Sequence, residues 1–187
     1  VISNPLPYHM KFAIPLAKIG CNLLIEKPIS ENKKQIQQLI NLRNEKKILV
    51  QVGYNLRFDK GIRYLKKLVS SKKFGNIYSI RSEAGNFLPN WRADNNYTKE
   101  VSANKSLGGG VLLELSHELD YLQWLFGDIV NISAKLRHHS KLKIDVEDTA
   151  YINLDISQKN KKNLISASLN LDFVRHDLTR TCTVICE

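Results

Sequence analysis

The stretch from Gly108 to Gly127 constrains the fold more tightly than any other part of the chain, because it predicts one helix with two unlike faces. At about 100° per residue, apolar side chains share one face: Val111, Leu112, Leu115, Leu119, Leu122, Leu125 and Phe126. Glu118 is the one interruption of that face. The other face carries two acids, an imidazole and two aromatic rings: Glu114, His117, Asp120, Tyr121 and Trp124. This second face predicts either another core contact or the wall of a cleft, and the spacing alone leaves both open.

Strands and helices alternate in the part of the chain that begins at Val1. Short apolar runs predict strands at residues 22–25 and 48–52, and amphipathic runs predict helices at 8–19 and 31–46, the second capped by Ser30. This order predicts a parallel α/β arrangement. The chain contains no G-x-G-x-x-G segment, the usual pyrophosphate-binding turn of a Rossmann domain. We therefore expect a fragment that starts inside a dinucleotide-binding domain.

A second pattern begins near Gly53. A helix is predicted at residues 59–70 and a strand at 77–84, followed by a long polar stretch at 85–107 that is typical of a binding loop. Beyond the central helix, alternating apolar residues predict four strands, with a polar hairpin turn at 157–163 between the second and third: residues 129–138, 148–156, 164–171 and 179–186. We expect a mainly antiparallel sheet covered by helices on one face. The predicted domains are the C-terminal half of a Rossmann domain at 1–52 and an α+β substrate domain at 53–187, cut at its end.

Composition and charge narrow the class of protein. The net charge of +10 raises the question of nucleic-acid binding. The lysines are scattered in pairs without interleaved aromatic residues, which favours a solvated surface and no nucleic-acid partner. No apolar run is long enough to span a membrane, and the first residues lack the charged-then-apolar pattern of a signal peptide, so we expect a soluble, cytoplasmic protein. The 3 cysteines have neither disulfide nor zinc spacing, and no metal site is predicted.

Five short motifs follow one another along almost the whole chain. They are Ser3-Asn4-Pro5 followed by His9, Glu26-Lys27-Pro28, Gly53-Tyr54-Asn55-x-Arg57-Phe58, Asn90-Trp91-Arg92, and Gly108-Gly109-Gly110 leading into His117-x-x-Asp120. In this order they resemble the glucose-fructose oxidoreductase and inositol dehydrogenase family of sugar dehydrogenases. The resemblance implies an oxidoreductase that uses NAD or NADP and transfers a hydride to or from a hydroxyl or keto group of a sugar, cyclitol or nucleotide-sugar. It also implies a homo-oligomer, a dimer or tetramer formed through the open face of the sheet.

The resemblance gives each motif a role. Lys27 is suited to donate to the reacting oxygen and His117 to take the hydroxyl proton, since the pKa of free histidine, about 6.5, lies near neutrality. Pro28 is expected in the cis form that tight functional turns favour. Cofactor contacts are implied for Ser3, Asn4, Pro5, His9, Glu26, Lys27, Pro28, Trp91 and Arg92. Substrate contacts are implied for Lys27, Tyr54, Arg57, His117 and Asp120.

One position departs from the family pattern. The family commonly has an aspartate four residues before the histidine, where this chain has Leu113, and the nearest acid is Glu114. We expect Glu114 to orient the imidazole of His117 from this shortened spacing, as a third catalytic member beside Lys27, with Asp120 retained in the His-x-x-Asp spacing. The alternative hypothesis is a sugar- or cofactor-binding relative that has the fold without turnover.

Overall fold

The computed structural model describes residues 1–92, 94–158 and 163–187. The N-terminal part of the chain forms a small layer of parallel strands and helices. Strand β1 (Leu23–Ile25) pairs in parallel with β2 (Val50–Val52), and Ile2 adds a parallel bridge to Ile25. Helices α1 (His9–Lys18) and α2 (Lys33–Lys46) pack against each other beside these strands. The layer has an apolar core of its own, formed by Ile2, Met10, Ala13, Ala17, Leu23, Ile25, Leu39 and Ile48.

The start of α2 corrects the predicted cap. Asn32, rather than Ser30, accepts hydrogen bonds from the backbone N–H groups of Lys34 and Gln35. The Ser30 hydroxyl instead accepts from the N–H of Asn32 and so supports the capping residue. Both residue types are strong N-caps, but only the one at the first turn reaches the unpaired N–H groups of the helix.

The second part of the chain is built on a five-stranded sheet with the order β4-β5-β6-β3-β7. All neighbouring strands pair in antiparallel fashion except β3 and β6, which are parallel. The strands are β3 (Ile77–Gly85), β4 (Asp128–Arg137), β5 (Thr149–Ser157), β6 (Leu164–Asp172) and β7 (Thr179–Cys186). Each lies within one residue of its predicted range. The predicted hairpin turn at 157–163 falls largely on residues outside the described ranges.

Helices cover one face of this sheet. Along β5 and β6 every second side chain is buried, and those side chains join the helix at His117–Phe126 in a core that holds Leu122, Phe126, Ile152 and Leu169. Helix α3 (Lys60–Ser71) begins one residue after the predicted start, with Asp59 as its cap, and packs against the edge of the same core. The long polar stretch contains four short 3-10 turns: Leu88–Asn90, Tyr97–Lys99, Val101–Ala103 and Lys105–Leu107. Within the described ranges, the helices are too short or too polar to cross a membrane.

The central stretch is two helices rather than the single one predicted. Helix α4 (Val111–Glu114) ends after one turn, and α5 (His117–Phe126) begins three residues later. In a continuous helix the carbonyl oxygen of Glu114 would accept the N–H of Glu118. Here the N–H of Glu118 donates to the carbonyl of Leu115 instead, and Nζ of Lys27 donates to the carbonyl of Glu114 at 2.8 Å. A lysine from the N-terminal layer thus takes the place of a backbone donor and breaks the helix.

Candidate functional site

Lys27 is the point where the two parts of the chain meet. It follows β1 in a turn whose Lys27–Pro28 peptide bond is cis, as the sequence predicted for Pro28. Its Nζ donates both to the backbone carbonyl of Glu114 and, at 3.3 Å, to the Glu114 carboxylate. The side chain is 16% exposed, so the ammonium group is held rather than solvated. Two residues that lie 87 positions apart therefore form one ion pair beside the start of α5.

His117 opens α5 next to this ion pair. Burial, together with the positive charges of Lys27 and Arg180, lowers the pKa of His117 to about 4 against the opposing effect of Asp120 and Glu26. Its Nδ1 is buried and has no hydrogen-bond partner within the described ranges. The ring is therefore neutral near pH 7 and available to accept a proton.

The expected pairing of Glu114 with the imidazole is not what the structure shows. The Glu114 carboxylate binds Lys27, and the helix break between positions 114 and 117 removes the one-turn alignment on which the expectation depended. Glu114 is thus positioned to act on the lysine rather than on His117.

Asp120 is held by an arginine. Both of its carboxylate oxygens accept from Arg57, at 2.7 and 2.8 Å, in a two-pronged ion pair that links the segment after β2 to α5. Tyr54 packs edge-on against the His117 ring with 5.6 Å between centroids. Tyr54, Arg57 and Asp120 also line a cavity of about 480 Å³ that extends along β2. Three of the five residues implied as substrate contacts, Tyr54, Arg57 and Asp120, are therefore brought together near the imidazole of His117.

The loop that follows Ile2 and the loop that follows β1 lie side by side. His9, only 1% exposed, has Nε2 at 2.7 Å from the carbonyl oxygen of Asn4 and Nδ1 at 3.1 Å from that of Pro28. The His9 ring therefore connects the loop at residues 3–5 to the turn at residues 26–28. Ends of parallel strands are where a dinucleotide binds in α/β folds, so these two loops fit the nicotinamide end of such a cofactor.

Glu26 lies in the second of these loops. Its carboxylate accepts from the backbone N–H of Lys27 at 3.1 Å. A side chain at Gly53 would meet that carboxylate at 3.3 Å, so the glycine leaves room for it. Glu26 thus lies at the junction between β1, β2 and the following segment.

The glycines that precede α4 pack closely against neighbouring parts of the chain. Gly108 has φ of 81°, and a Cβ there would lie 2.6 Å from the Cβ of Leu6. Gly110 has φ of 111°, and a Cβ there would meet the Glu147 carboxylate at 2.5 Å. That carboxylate accepts from the N–H of Leu112 and so caps the short helix. The glycine run is therefore required by close packing and backbone geometry on both sides of α4.

Trp91 and Arg92 make their contacts within and beneath the long polar stretch. The indole of Trp91 donates to the carbonyl of Asn86 at 3.1 Å and packs edge-on against Phe173. Arg92 forms an ion pair with Glu100. These contacts give both residues a structural role, and their implied cofactor contact stays a prediction.

The structure places two residues, Tyr121 and Trp124, away from the cleft that the sequence assigned to their face of the helix. Tyr121 is fully buried against the sheet, where its hydroxyl lies 2.6 Å from Ser82 Oγ, so it does not line the cleft. Trp124 is covered by Lys66, whose Nζ lies 4.0 Å from the centre of the ring and donates to the Trp124 carbonyl. Of the predicted second face, Glu114, His117 and Asp120 belong to the site.

A buried ion pair adds two residues that the sequence reasoning missed. Glu118 is fully buried, and Nε of Arg180 on β7 donates to its Oε1 at 2.6 Å. The signal available in the sequence was the single acid on the apolar face of the central helix, because a buried carboxylate requires a cationic partner.

A comparison with protein families identifies this arrangement. The model described as the GFO/IDH/MocA C-terminal domain matches residues 62–187. The chain belongs to the GFO/IDH/MocA family. The match covers the sheet and the helices α4 and α5, which carry Glu114, His117 and Asp120.

Individual members of the GFO/IDH/MocA family agree with this assignment. The chain is 28% identical to levoglucosan dehydrogenase of Pseudarthrobacter phenanthrenivorans over 72% of this chain and 34% of the relative. It is 28% identical to inositol 2-dehydrogenase of Corynebacterium glutamicum over 76% of this chain and 39% of the relative. The chain spans about half the length, or less, of the curated relatives it matches.

Solved structures share the fold. The WlbA dehydrogenase of Bordetella pertussis, crystallised with NADH and UDP-GlcNAcA, superposes on 100% of this chain and 52% of its own with a TM-score of 0.85 at 21% identity. The myo-inositol 2-dehydrogenase of Lactobacillus plantarum superposes on 99% of this chain and 54% of its own with a TM-score of 0.81 at 21% identity.

Proposed function

We propose that the protein is an oxidoreductase that transfers a hydride between NAD or NADP and a hydroxyl or keto group of a sugar, cyclitol or nucleotide-sugar. The observation that carries this proposal is the convergence of Lys27, Glu114 and His117. A held ammonium group and a neutral imidazole close to each other are the groups that oxidation of an alcohol requires.

The proton and the electron pair take separate routes in this proposal. The chemistry that a bound nicotinamide would supply is that of an acceptor for the hydride of the carbinol carbon. His117 takes the hydroxyl proton on its ring, and the oxygen becomes the carbonyl oxygen of the product. Lys27 donates a hydrogen bond to that oxygen while negative charge develops on it. Glu114 keeps the ammonium group in place, because its carboxylate and its backbone carbonyl both accept from Nζ of Lys27.

The cofactor half of the site rests on the first 52 residues. We assign residues 1–52 to the C-terminal half of a Rossmann domain and residues 53–187 to the substrate domain. The parallel pairing of Ile2, β1 and β2 supports this assignment, as do the two separate apolar cores. Glu26 and the loop at residues 3–5 would then face the nicotinamide, with His9 acting beneath them.

The substrate class follows the relatives and the cavity. Relatives are named for an anhydrosugar and for inositol, and a structural neighbour was crystallised with a nucleotide-sugar. All three are polyhydroxylated rings. The ion-paired Arg57 and Asp120 and the Tyr54 side chain supply the polar lining that such a ring requires.

We further propose that the open face of the sheet forms a homo-oligomer contact. The four strands β4, β5, β6 and β3 present a flat row at this face: Lys135, Tyr151, Asn170 and Glu83. Tyr151 at the centre of the row is 50% exposed. Half-exposed tyrosines are enriched at protein interfaces.

The test replaces Lys27 by methionine in the full-length protein. Reduction of NAD and NADP is followed by absorbance with myo-inositol, levoglucosan and UDP-GlcNAcA as candidate substrates. We expect Lys27→Met to lower hydride transfer at least about 100-fold while cofactor affinity changes little. The matched control is Lys34→Met on the exposed side of α2, which should keep full activity. Turnover of Lys27→Met within a few-fold of wild type would remove Lys27 from the mechanism. Binding of a sugar without turnover by the wild type would favour the non-catalytic alternative.

A further inference from the structure

Two cations from different segments of the chain contact the indole ring of Trp124 on α5. Nζ of Lys66, on α3, lies 4.0 Å from the centre of the ring and also donates to the Trp124 carbonyl at 2.8 Å. The guanidinium carbon of Arg57, in the segment after β2, lies 5.7 Å from the same centre. The face of an indole attracts a positive charge at distances up to about 6 Å. The ring is therefore a common contact of α3 and of the segment that carries Arg57.

The two like charges converge on this ring although they repel each other. Burial, and after it the positive charge of Arg57, lowers the pKa of Lys66. The attraction of each cation to the ring offsets part of this repulsion. The Lys66 ammonium group is also held by the Trp124 carbonyl, which belongs to the last turn of α5, where carbonyl oxygens have no donor within the helix. Trp124 is thus bound to α3 through its backbone as well as through its ring.

Arg57 has a second partner on the same helix, one turn before Trp124. Its Nε and Nη2 donate to the two carboxylate oxygens of Asp120, and positions 120 and 124 lie on one face of a helix. The Arg57 side chain is 44% exposed, against 11% for Asp120. An ion pair with an exposed partner keeps its geometry only weakly, because water competes for the donors and the long side chain is free to rotate. The Trp124 ring, which packs against the core, adds a restraint that the exposed pair lacks.

The restrained ion pair forms part of the candidate substrate cavity. Arg57 and Asp120 line the cavity of about 480 Å³ together with Tyr54. Trp124 contacts the guanidinium group without lining this cavity in the part of the chain that the structure describes. Any effect of the ring on a ligand in the cavity is therefore transmitted through Arg57.

We propose that Trp124 is a positioning residue for the substrate cavity: with Lys66 against it, its ring holds the Arg57 guanidinium group in the orientation in which it binds both oxygens of Asp120. This inference rests on the proposed function, in which Arg57 and Asp120 contact the substrate. It makes α3 a support of the cavity wall, although neither Trp124 nor Lys66 touches the substrate or takes the proton.

The experiment measures how fast the Nε proton of Arg57 exchanges with water, by NMR on the full-length protein labelled at arginine, so it requires neither substrate nor turnover. That proton lies in the 2.8 Å hydrogen bond to Asp120, and its resonance is assigned from its absence in Arg57→Lys. Trp124→Leu removes the aromatic face and keeps an apolar side chain, with Trp124→Met as the alternative if the leucine variant does not fold. Trp124→Phe keeps an aromatic face. The matched control is Phe74→Leu, which removes an exposed ring with a lysine contact of its own, 6.0 Å from Nζ of Lys73.

We expect exchange to be about 2- to 5-fold faster in Trp124→Leu than in the wild type, the factor that corresponds to one cation–π contact at an exposed site. Trp124→Phe should show a smaller change and Phe74→Leu none. For a candidate substrate that the wild type oxidises, KM in Trp124→Leu should rise by a similar factor while kcat changes less than about 2-fold, because a binding contact is loosened and the proton acceptor is untouched.

Exchange in Trp124→Leu equal to that of the wild type would overturn the proposal, as would full acceleration in Trp124→Phe or an unchanged KM. Faster exchange in a protein that oxidises none of the candidate substrates would contradict the proposed function and leave the hold of Trp124 on Arg57 established. Oxidation by the wild type together with unchanged exchange in Trp124→Leu would do the reverse.

Discussion

At the scale of single residues, His117 is the candidate base, and burial and neighbouring charges both lower the pKa of its ring. It is half-buried, and its Nδ1 has no hydrogen-bond partner in the described ranges. The rings of His9 and His117 therefore differ in kind. Both nitrogens of His9 lie within hydrogen-bonding distance of backbone carbonyls, which is typical of a structural histidine, whereas His117 is left free to react.

The first prediction is that His117→Ala lowers turnover on the order of 100-fold or more while the free energy of unfolding falls by less than about 1 kcal/mol. The stability cost is small because the ring is only partly buried and its Nδ1 makes no hydrogen bond in the described ranges. Turnover and the urea midpoint are measured on the same variant. His138→Ala, on the exposed turn after β4, is the control and should keep full activity. A variant that keeps its rate and unfolds early would show that the imidazole is a core residue.

The second prediction concerns pH. From the sequence alone, activity is expected to fall below the ordinary pKa of histidine, about 6.5. The structure moves this limit downward, because the pKa of His117 in the folded protein is about 4. Activity in the oxidative direction should therefore persist as pH falls through 6.5 and decline only towards about 4. A half-maximal rate near pH 6.5 would contradict the lowered pKa.

The same shift acts on stability. Between about pH 6.5 and about pH 4 the unfolded chain binds a proton on this ring and the folded chain does not, so unfolding becomes easier as pH falls through this window. The stabilising contribution is complete above 6.5. In His117→Gln the loss of stability between pH 7 and pH 5 should be smaller than in the wild type, as measured by urea midpoints at both pH values.

At the scale of single elements, the C-terminal ends of α2 and α3 adopt a backbone conformation that lowers the stability of the protein. Lys47 and Lys72 occupy the left-handed conformation at the ends of α2 and α3, with φ of 54° and 56°. Glycine normally fills this position, because a Cβ is disfavoured there by about 1 kcal/mol. Neither lysine belongs to the site.

The third prediction is that Lys47→Gly raises the free energy of unfolding by about 0.5 to 1 kcal/mol, because the strained backbone is relieved. Its neighbour Lys46 has the ordinary helical conformation, so Lys46→Gly should lower stability by about 1 kcal/mol. Thermal and urea unfolding of the two variants give opposite signs if the left-handed geometry is correct. Destabilisation by both would show that Lys47 contributes through its side chain.

Elements were predictable from the sequence to the extent that their signal is local. Alternating apolar residues placed the strands of the sheet within one residue, because a sheet with one covered face imposes a period of two. The break before His117 was not predictable, because its cause is Lys27, far away in the chain. Around helix α5, Tyr121 lies about midway between His117 and Glu118, so the spacing alone does not tell which of the two faces it belongs to. The contacts of Arg180 with Glu118 and of Ser82 with Tyr121 show that it faces the sheet.

At the scale of the whole molecule, the candidate site is assembled across two apolar cores. Three carboxylates in and beside the helices α4 and α5 each bind a base from another element: Glu114 binds Lys27, Asp120 binds Arg57 and Glu118 binds Arg180. The sequence reasoning named the first two acids, Glu114 from its place one turn before His117 and Asp120 from the spacing of the family motif. Only the folded structure shows that all three join separate parts of the chain around one imidazole.

The fourth prediction is that Tyr151→Lys in the full-length protein converts an oligomer to a smaller species. A lysine opposite its own copy at the centre of the open sheet face introduces charge repulsion into the contact. Mass is measured by light scattering after size exclusion. The matched control is Tyr64→Lys on α3, which is 62% exposed on the helical side and should leave the mass unchanged. An unchanged mass for Tyr151→Lys would place the contact elsewhere.

The helix break made by Lys27 has a consequence for how a protein of this kind changes over evolutionary time. The same amino group that is proposed to serve the reaction also replaces a backbone donor and separates α4 from α5. A descendant that exchanged this lysine for an apolar residue would lose the reactive donor and would free the Glu114 carbonyl to rejoin the helix. The candidate donor and the separation of α4 from α5 are therefore expected to be kept or lost together among relatives of this chain.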